Sequence, residues 1–317
     1  MGKGEKSGRE GRCPSRTHPT GGIIPPDPVT GEEGALVGLT AYNSYRVAAR
    51  AAWCAFPKTV DALGSVLAAC AGARVHLLGH GNNVILSQPF YDASQRFVCT
   101  RFLDAALVVD GEGLWAGAGV RLRDVCRAAA RAGLAGLEKL WDIPGSVGGA
   151  AYMNAGAYGA SFYDVVEAVE AYWPETGAVR IVPREACRPV YRGTAFQGAG
   201  AVLVGVRLRL TPDDPARILA AMGKIGKLRR SKLPYDLPSA GSVFRRPVGA
   251  PPVGQIMEEA GLKGFQIGGA RISRRHGGFI VNAGGATGAD ILAVVAVMQD
   301  AARKRYGVEL VLEQVVI

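Results

Sequence analysis

The sequence predicts an α+β fold of more than one domain. Three observations carry this. Several segments alternate apolar and polar residues with the two-residue period of half-buried strands, and stretches at helical spacing lie among them. The one glycine turn placed to open a dinucleotide-binding unit has no third glycine and no helix after it, which removes the doubly wound parallel alternative. A length of 317 residues with 48% hydrophobic content can build two domains, or three, with real cores.

The elements follow in order. Met1 to about Gly34 is rich in Gly, Pro, Ser and charge and is expected to be a disordered tail. Thr59 to Ala71 places Val60, Leu63, Val66 and Leu67 at helical spacing. Val75 to Leu78 and Val84 to Leu86 read as strands on either side of the turn Gly79-His80-Gly81-Asn82-Asn83. That turn can present N–H groups to a phosphate, and a plain hairpin turn is equally compatible with it. Ala106 to Gly117 alternates like sheet, and Leu122 to Arg131 is a helix with Leu122, Val125, Cys126 and Ala129 on one face. Val165 to Trp173 and Val179 to Val182 form a strand pair around Glu175-Thr176-Gly177. From Ala201 to Leu210, Val202, Val204, Val206, Leu208 and Leu210 mark one apolar face.

Asp213 to Leu228 reads as a helix, and the two prolines between Lys232 and Pro238 break it. This sets a boundary near 213–235 and divides the chain into 35–100, 101–212 and 213–317. In the last part Val253 to Glu259 is a short helix stopped by Gly261, and Phe279 to Asn282 is a strand. Thr287 with Asp290 opens a long helix as an Asp version of the capping box. Ile291, Val294, Val295 and Met298 are its buried stripe and Gly307 its stop. Leu310 to Ile317 is a final strand.

Composition excludes several classes of function. No run of about 18 apolar residues is present to cross a membrane, and the N-terminus has no apolar signal core. The six cysteines contain no C-x-x-C pair and the four histidines fall at no zinc-ligand spacing, so idle thiols in a reducing cytoplasm and no metal are expected. The net charge of +10 calls for an anionic partner. Its basic residues are scattered and not interleaved with aromatics, which favours small polyanions over nucleic acid.

Ile143 to Gly159 is the most informative stretch. It reads IPGSVGGAAYMNAGAYG and carries no charge. Most of its backbone is uncovered by bulky side chains, as where a ligand approaches the main chain closely. Four further groups stand out: Tyr191-Arg192, Lys232 ahead of the prolines, Ser242 within Ser239-Ala240-Gly241-Ser242-Val243-Phe244, and Glu313 in the last strand. Ser242 lacks the G-x-S-x-G elbow of a hydrolase nucleophile.

Taken in order, these segments resemble the UDP-N-acetylenolpyruvoylglucosamine reductases. The matching positions are Gly79 to Asn83, Gly136-Leu137-Glu138, Ile143 to Gly159, Tyr191-Arg192, Ser239 to Phe244, Gly261 to Gly264, Ile267 to Ala270, His276, Phe279 to Asn282 and Glu313. The resemblance runs from about residue 38 to the C-terminus. Each motif is weak alone, and the ordered set is specific.

The resemblance implies a two-part FAD-binding region of the vanillyl-alcohol-oxidase/PCMH type, built by 35–100 and 101–212, and a C-terminal α+β substrate domain. Gly79, His80, Gly81, Asn82, Asn83, Ile143, Pro144, Gly145, Ser146, Gly148, Gly149, Asn154 and Gly156 would hold FAD. NADPH would reduce the flavin, and hydride would pass to the enolpyruvyl ether of a UDP-sugar, giving UDP-N-acetylmuramate for peptidoglycan. Ser242 would protonate the neighbouring carbon, and Arg192 and Glu313 would stabilise the enolic carboxylate. Tyr191, Lys232, Arg246 and His276 would contact the substrate. A cytoplasmic monomer with no membrane or nucleic-acid partner is expected.

The match departs in places. Ala48-Ala49 follows Asn43-Ser44-Tyr45-Arg46-Val47 where the family has two glycines. Asn82 stands for a serine, Arg246 for an amide and Val311 for a glutamate. These changes leave open a paralogue of the same fold acting on another nucleotide-linked substrate. The stretch from Arg192 to Lys232 is too short for the extra substrate-covering loop of some members.

Overall fold

The computed structural model describes residues 36–317. The expected tail, residues 1–34, and Cys13 lie outside the described residues. Three cores divide the rest, each built on its own sheet.

The first core is small. Its central sheet is parallel, in the order Cys54–Ala55, Gln95–Cys99, Arg74–Leu78. The helix Val60–Ala69 precedes the strand Arg74–Leu78, and Thr59 caps it by accepting a hydrogen bond from the Ala62 N–H. Leu39, Leu78, Tyr91 and Phe97 are fully buried inside this unit.

The second core is a five-stranded antiparallel sheet. Its order is Ala178–Pro183, Val166–Trp173, Val202–Arg209, Gly113–Gly117, Leu107–Asp110. The helices Leu122–Arg131, Val147–Met153 and Pro215–Lys232 join its large apolar cluster. Val202 and Val204 instead pack with Leu63, Val98 and Leu103 of the first unit. The strand Val202–Arg209 is therefore buried on both faces over its first half, where the alternation read from sequence marks only one.

The third core packs the helices Val253–Glu259 and Gly288–Tyr306 on the antiparallel sheet Gln266–Ile267, Ala270–Ile272, Ile280–Asn282. The long helix forms as its signals predict. Thr287 and Asp290 make both bonds of the capping box, and Gly307 ends the helix at φ 65°. Ile291, Val294 and Met298 are fully buried, each worth about 1.5–3 kcal/mol of hydrophobic transfer.

Four expectations need correction. The strands flanking Gly79–Asn83 do not form a hairpin. Arg74–Leu78 pairs with Gln95–Cys99, whereas Val84–Ile85 pairs in parallel with the C-terminal strand Val315–Val316. The chain end thus returns to the first unit, and the Ile317 N–H donates to the Ile85 carbonyl at 2.9 Å. Only Val315–Val316 of the expected last strand forms a ladder, with an isolated bridge at Leu312.

The boundary near 213 also moves. The helix runs Pro215–Lys232, capped by Asp214, and its Ile218 and Met222 belong to the second core. Its apolar stripe has its partners there, so the third unit starts after Lys232. Finally, the glycine block is not an open wall throughout. Val147–Met153 is helical, because Ser146 accepts from the Gly149 N–H at 3.1 Å and Val147, Ala150 and Ala151 are buried in the second core.

Candidate functional site

The two glycine segments meet between the first and second units. Gly81 has φ 68°, and a Cβ there would sit 2.0 Å from the Tyr42 carbonyl oxygen, so only glycine permits the turn. The Ser44 N–H donates to the Gly81 carbonyl at 2.9 Å, and the Asn82 amide donates to Ser44 Oγ at 2.6 Å. A Cβ on Gly79 would lie 3.2 Å from Ser146 Oγ, which places the turn against the start of the glycine-block helix. His80 pairs with the Gly119 carbonyl at 3.1 Å, and burial holds its imidazole pKa below the ordinary value, so the neutral ring donates.

A cavity of about 290 Å³ opens here, lined by Asn82, Pro144 and Gly145, by Arg46, Arg101, Arg121 and Arg123, and by Asp142, which pairs with Arg123 at 3.4 Å. Arg101 stacks on Tyr42 with 5.1 Å to the ring centroid and donates to the Ala41 carbonyl at 3.2 Å. Its Nε is buried and has no hydrogen-bond partner among the described residues. A buried N–H without an acceptor is costly, and a bound anion removes that cost. The donors and the charge fit the diphosphate of FAD. None of these four arginines was singled out from sequence, because nothing local distinguishes them from solvated ones.

The second cluster brings all three units together. Arg192 sits in the tight turn between Val190 and Gly193, at φ 56°, a conformation rare for a side-chain-bearing residue. Its Nε donates to Glu313 Oε1 at 3.0 Å, and its terminal nitrogens donate to the Asn154 and Gly156 carbonyls at 3.3 and 2.9 Å. Glu313 is held by two backbone bonds. Its N–H donates to the Val243 carbonyl at 2.9 Å, and its carbonyl accepts from the Asn83 amide at 3.0 Å. Burial pushes the Glu313 carboxyl above the ordinary range, while Arg192 and then Arg245 pull it back.

Ser242, next to Val243, is exposed. It follows Gly241, whose φ is 82° and whose built Cβ lies 3.9 Å from the Asn82 carbonyl oxygen. Arg192, Ser242 and Glu313, far apart in the chain, thus converge beside the Gly79–Asn83 turn.

Asn154 and Gly156 meet Arg192 in this cluster and do not line the cavity beside Asn82. The Asn154 side chain is buried and spent internally, donating to the Val190 carbonyl at 3.0 Å and accepting from the Tyr163 N–H at 3.3 Å. It pins the turn that carries Arg192. Its own φ of 44° closes the Val147–Met153 helix.

The remaining residues lie at the margin. Tyr191 is exposed, with its OH accepting from the Arg246 N–H at 3.2 Å, and the Arg192 guanidinium sits 5.1 Å from the centre of its ring. Lys232 ends its helix, exposed. His276 packs edge-on against Phe279, and its Nδ1 accepts from the Gly278 N–H at 3.1 Å. Burial lowers its pKa, with Lys263 and Lys232 adding to the effect. Arg246 is exposed.

Other chemistry is thinly represented. Among the described residues no cluster of three His, Cys, Asp or Glu has the arrangement of a metal site, and no helix is long and apolar enough to cross a membrane. The described cysteines are free and buried, and burial lifts the Cys126 thiol to about 12.

Comparison with known proteins agrees with this geometry. Residues 51–182 match an FAD binding domain, and residues 233–317 match the C-terminal domain of UDP-N-acetylenolpyruvoylglucosamine reductase. The second match begins where the third core begins. A reductase of that name from Syntrophomonas wolfei is 44% identical over 204 residues, 64% of this chain and 68% of that protein. One from Thermotoga petrophila is 35% identical over 272 residues, 86% of this chain and 94% of the relative. The crystal structure of UDP-N-acetylenolpyruvylglucosamine reductase from Thermus caldophilus superposes with a TM-score of 0.75 at 32% identity, over 89% of this chain and 98% of that one. Family match, full-length relatives and fold coincide, and this chain belongs to the UDP-N-acetylenolpyruvoylglucosamine reductase family.

Proposed function

We propose that this chain reduces the enolpyruvyl ether of UDP-N-acetylglucosamine to UDP-N-acetylmuramate with NADPH and FAD. Arg192, Ser242 and Glu313 carry the substrate half of the reaction. One observation supports this assignment above the others: Arg192 from the second unit and Glu313 from the third meet at 3.0 Å beside Asn83 of the first. FAD, once bound, supplies the hydride and is renewed by NADPH.

The chain's residues perform the rest. Hydride addition to the terminal carbon drives negative charge into the adjacent carboxylate. The Arg192 guanidinium is fixed by three hydrogen bonds before that charge develops, so it needs no reorganisation. Glu313, raised by burial, holds a proton at pH values where an exposed carboxylate has lost it. Ser242, exposed at the cluster's edge, donates the proton to the carbon next to the carboxylate. Arg46, Arg101, Arg121 and Arg123 hold the cofactor's diphosphate, with Gly79 to Asn83 and Ile143 to Gly149 as the backbone around it. Tyr191, Lys232, Arg246 and His276 face the nucleotide-sugar. The chain acts as a monomer in the cytoplasm, where NADPH and UDP-sugars are available together.

The purified protein is expected to be yellow, to bleach on addition of NADPH, and to oxidise NADPH continuously only with the enolpyruvyl UDP-sugar present. A colourless protein that binds no FAD overturns the reading.

A further inference from the structure

We propose that Arg245 is the anchor for the carboxylate of the enolpyruvyl substrate, a binding role in addition to those of Arg192 and Glu313. The proposal rests on the reductase reading above.

Strand register places the residue. Phe244 and Leu312 form an antiparallel bridge, the Arg245 N–H donates to the Val311 carbonyl at 2.9 Å, and the Glu313 N–H donates to the Val243 carbonyl at 2.9 Å. Side chains on either side of a bridged pair leave from the opposite face, and those two apart share a face. Arg245 and Glu313 are therefore diagonal neighbours on one face, with backbones about 7–8 Å apart. A guanidinium side chain spans that gap, and Glu313 feels the charge.

Its hydrogen-bonding state supplies the second argument. Arg192 donates from Nε and both terminal nitrogens to acceptors within the chain. By contrast, Arg245 Nε is buried and donates to no acceptor among the described residues. The guanidinium N–H at this site that still needs an acceptor belongs to Arg245, and carboxylate is the acceptor a guanidinium binds best. Charge agrees. Glu313 brings at most one negative charge against the two arginines, so at least one positive charge is in excess, and the enolpyruvyl carboxylate balances it. Arg246, next in sequence, is exposed and held at its backbone by Tyr191, away from this balance.

Two ligands that differ in the carboxylate separate this role from a structural one. UDP-N-acetylmuramate carries it, and UDP-N-acetylglucosamine does not. In the FAD-loaded enzyme, Arg245→Met is expected to weaken UDP-N-acetylmuramate binding and raise the KM for the enolpyruvyl substrate by about 10- to 100-fold. UDP-N-acetylglucosamine affinity and bound FAD should match the wild type, and Arg245→Lys should recover most of the loss. Equal weakening of both ligands, an unchanged KM, or a lysine variant no better than methionine overturns the assignment. A wild-type enzyme that does not turn over the enolpyruvyl sugar overturns instead the reductase reading beneath it.

Discussion

The Arg192 guanidinium and the Glu313 carboxylate meet at 3.0 Å across 121 positions of sequence. The pair joins the second unit to the third, and both side chains are largely shielded from water. A buried ion pair of this kind is weak evidence for stability, because desolvation offsets its attraction. Its position beside Ser242 and Asn83 gives it a functional meaning.

Glu313→Gln tests that meaning through pH. Burial raises the native pKa of Glu313, so the folded chain keeps a proton that the unfolded chain has already released. By linkage, this group's contribution to stability is highest below the ordinary carboxylate pKa. It then falls as pH rises from that value through the raised one, and is constant above. Urea unfolding of wild type and Glu313→Gln across this window should show the decline in the wild type and not in the variant. Turnover of the variant should fall by about 100-fold or more, with FAD retained.

Ser242→Ala separates the two half-reactions. Removing the hydroxyl should leave flavin reduction by NADPH intact in anaerobic stopped-flow measurements. Steady-state turnover of the enolpyruvyl sugar should drop by about 10²–10⁴-fold, the range for loss of a positioned proton donor. Normal turnover in the alanine variant removes Ser242 from the mechanism.

Arg101→Gln probes the cofactor cavity. Arg101 has a buried Nε without a partner among the described residues and reaches the carbonyls of Ala41 and His80. Loss of its charge should weaken FAD about 10-fold or more, measured by titrating apoprotein and following flavin fluorescence. Added salt should narrow the difference only slightly, since partly buried charges are poorly screened.

Tyr45→Phe tests how the units are tied. The Tyr45 hydroxyl donates to Gln314 Oε1 at 3.0 Å, both residues are buried, and Gln314 in turn donates to the Ala240 carbonyl at 3.0 Å. Deleting the hydroxyl leaves a buried acceptor unsatisfied and should cost about 1–3 kcal/mol of stability, read as a lower urea midpoint with FAD still bound. Burial also holds the Tyr45 phenol well above its ordinary pKa, so no ionisation of this group is expected at working pH.

Much of this molecule can be read from local chemistry. The helix Gly288–Tyr306 is bounded by its own Thr287, Asp290 and Gly307. The hairpin Val166–Trp173 with Ala178–Pro183 closes over Glu175-Thr176-Gly177. These signals lie within a few residues of what they determine. Arg192, Ser242 and Glu313, proposed as the catalytic set, stand out through the ordered motifs, not through any one residue.

What stayed hidden depends on partners distant in sequence. Val84–Ile85 reads as a strand for which a hairpin with Val75 to Leu78 is one of two open readings, and its partner is Val315–Val316. Gly148 and Gly149 argue against helix, yet Val147–Met153 is helical because its buried face packs on the second core. Nothing local to Asn154 shows that its side chain donates to the Val190 carbonyl of the turn that carries Arg192. Arg101 and Arg245 resemble solvated arginines until folding buries their Nε atoms.

The sequence by itself determined the secondary elements with strong caps, the α+β class and the family's ordered motifs, all properties of neighbouring residues. Only the tertiary structure decided which arginines line the cavity, where the second unit ends and how Arg192 comes to Glu313. Burial and electrostatic proximity depend on distances in space, and residues far apart in the chain become neighbours only when the three cores close on one another.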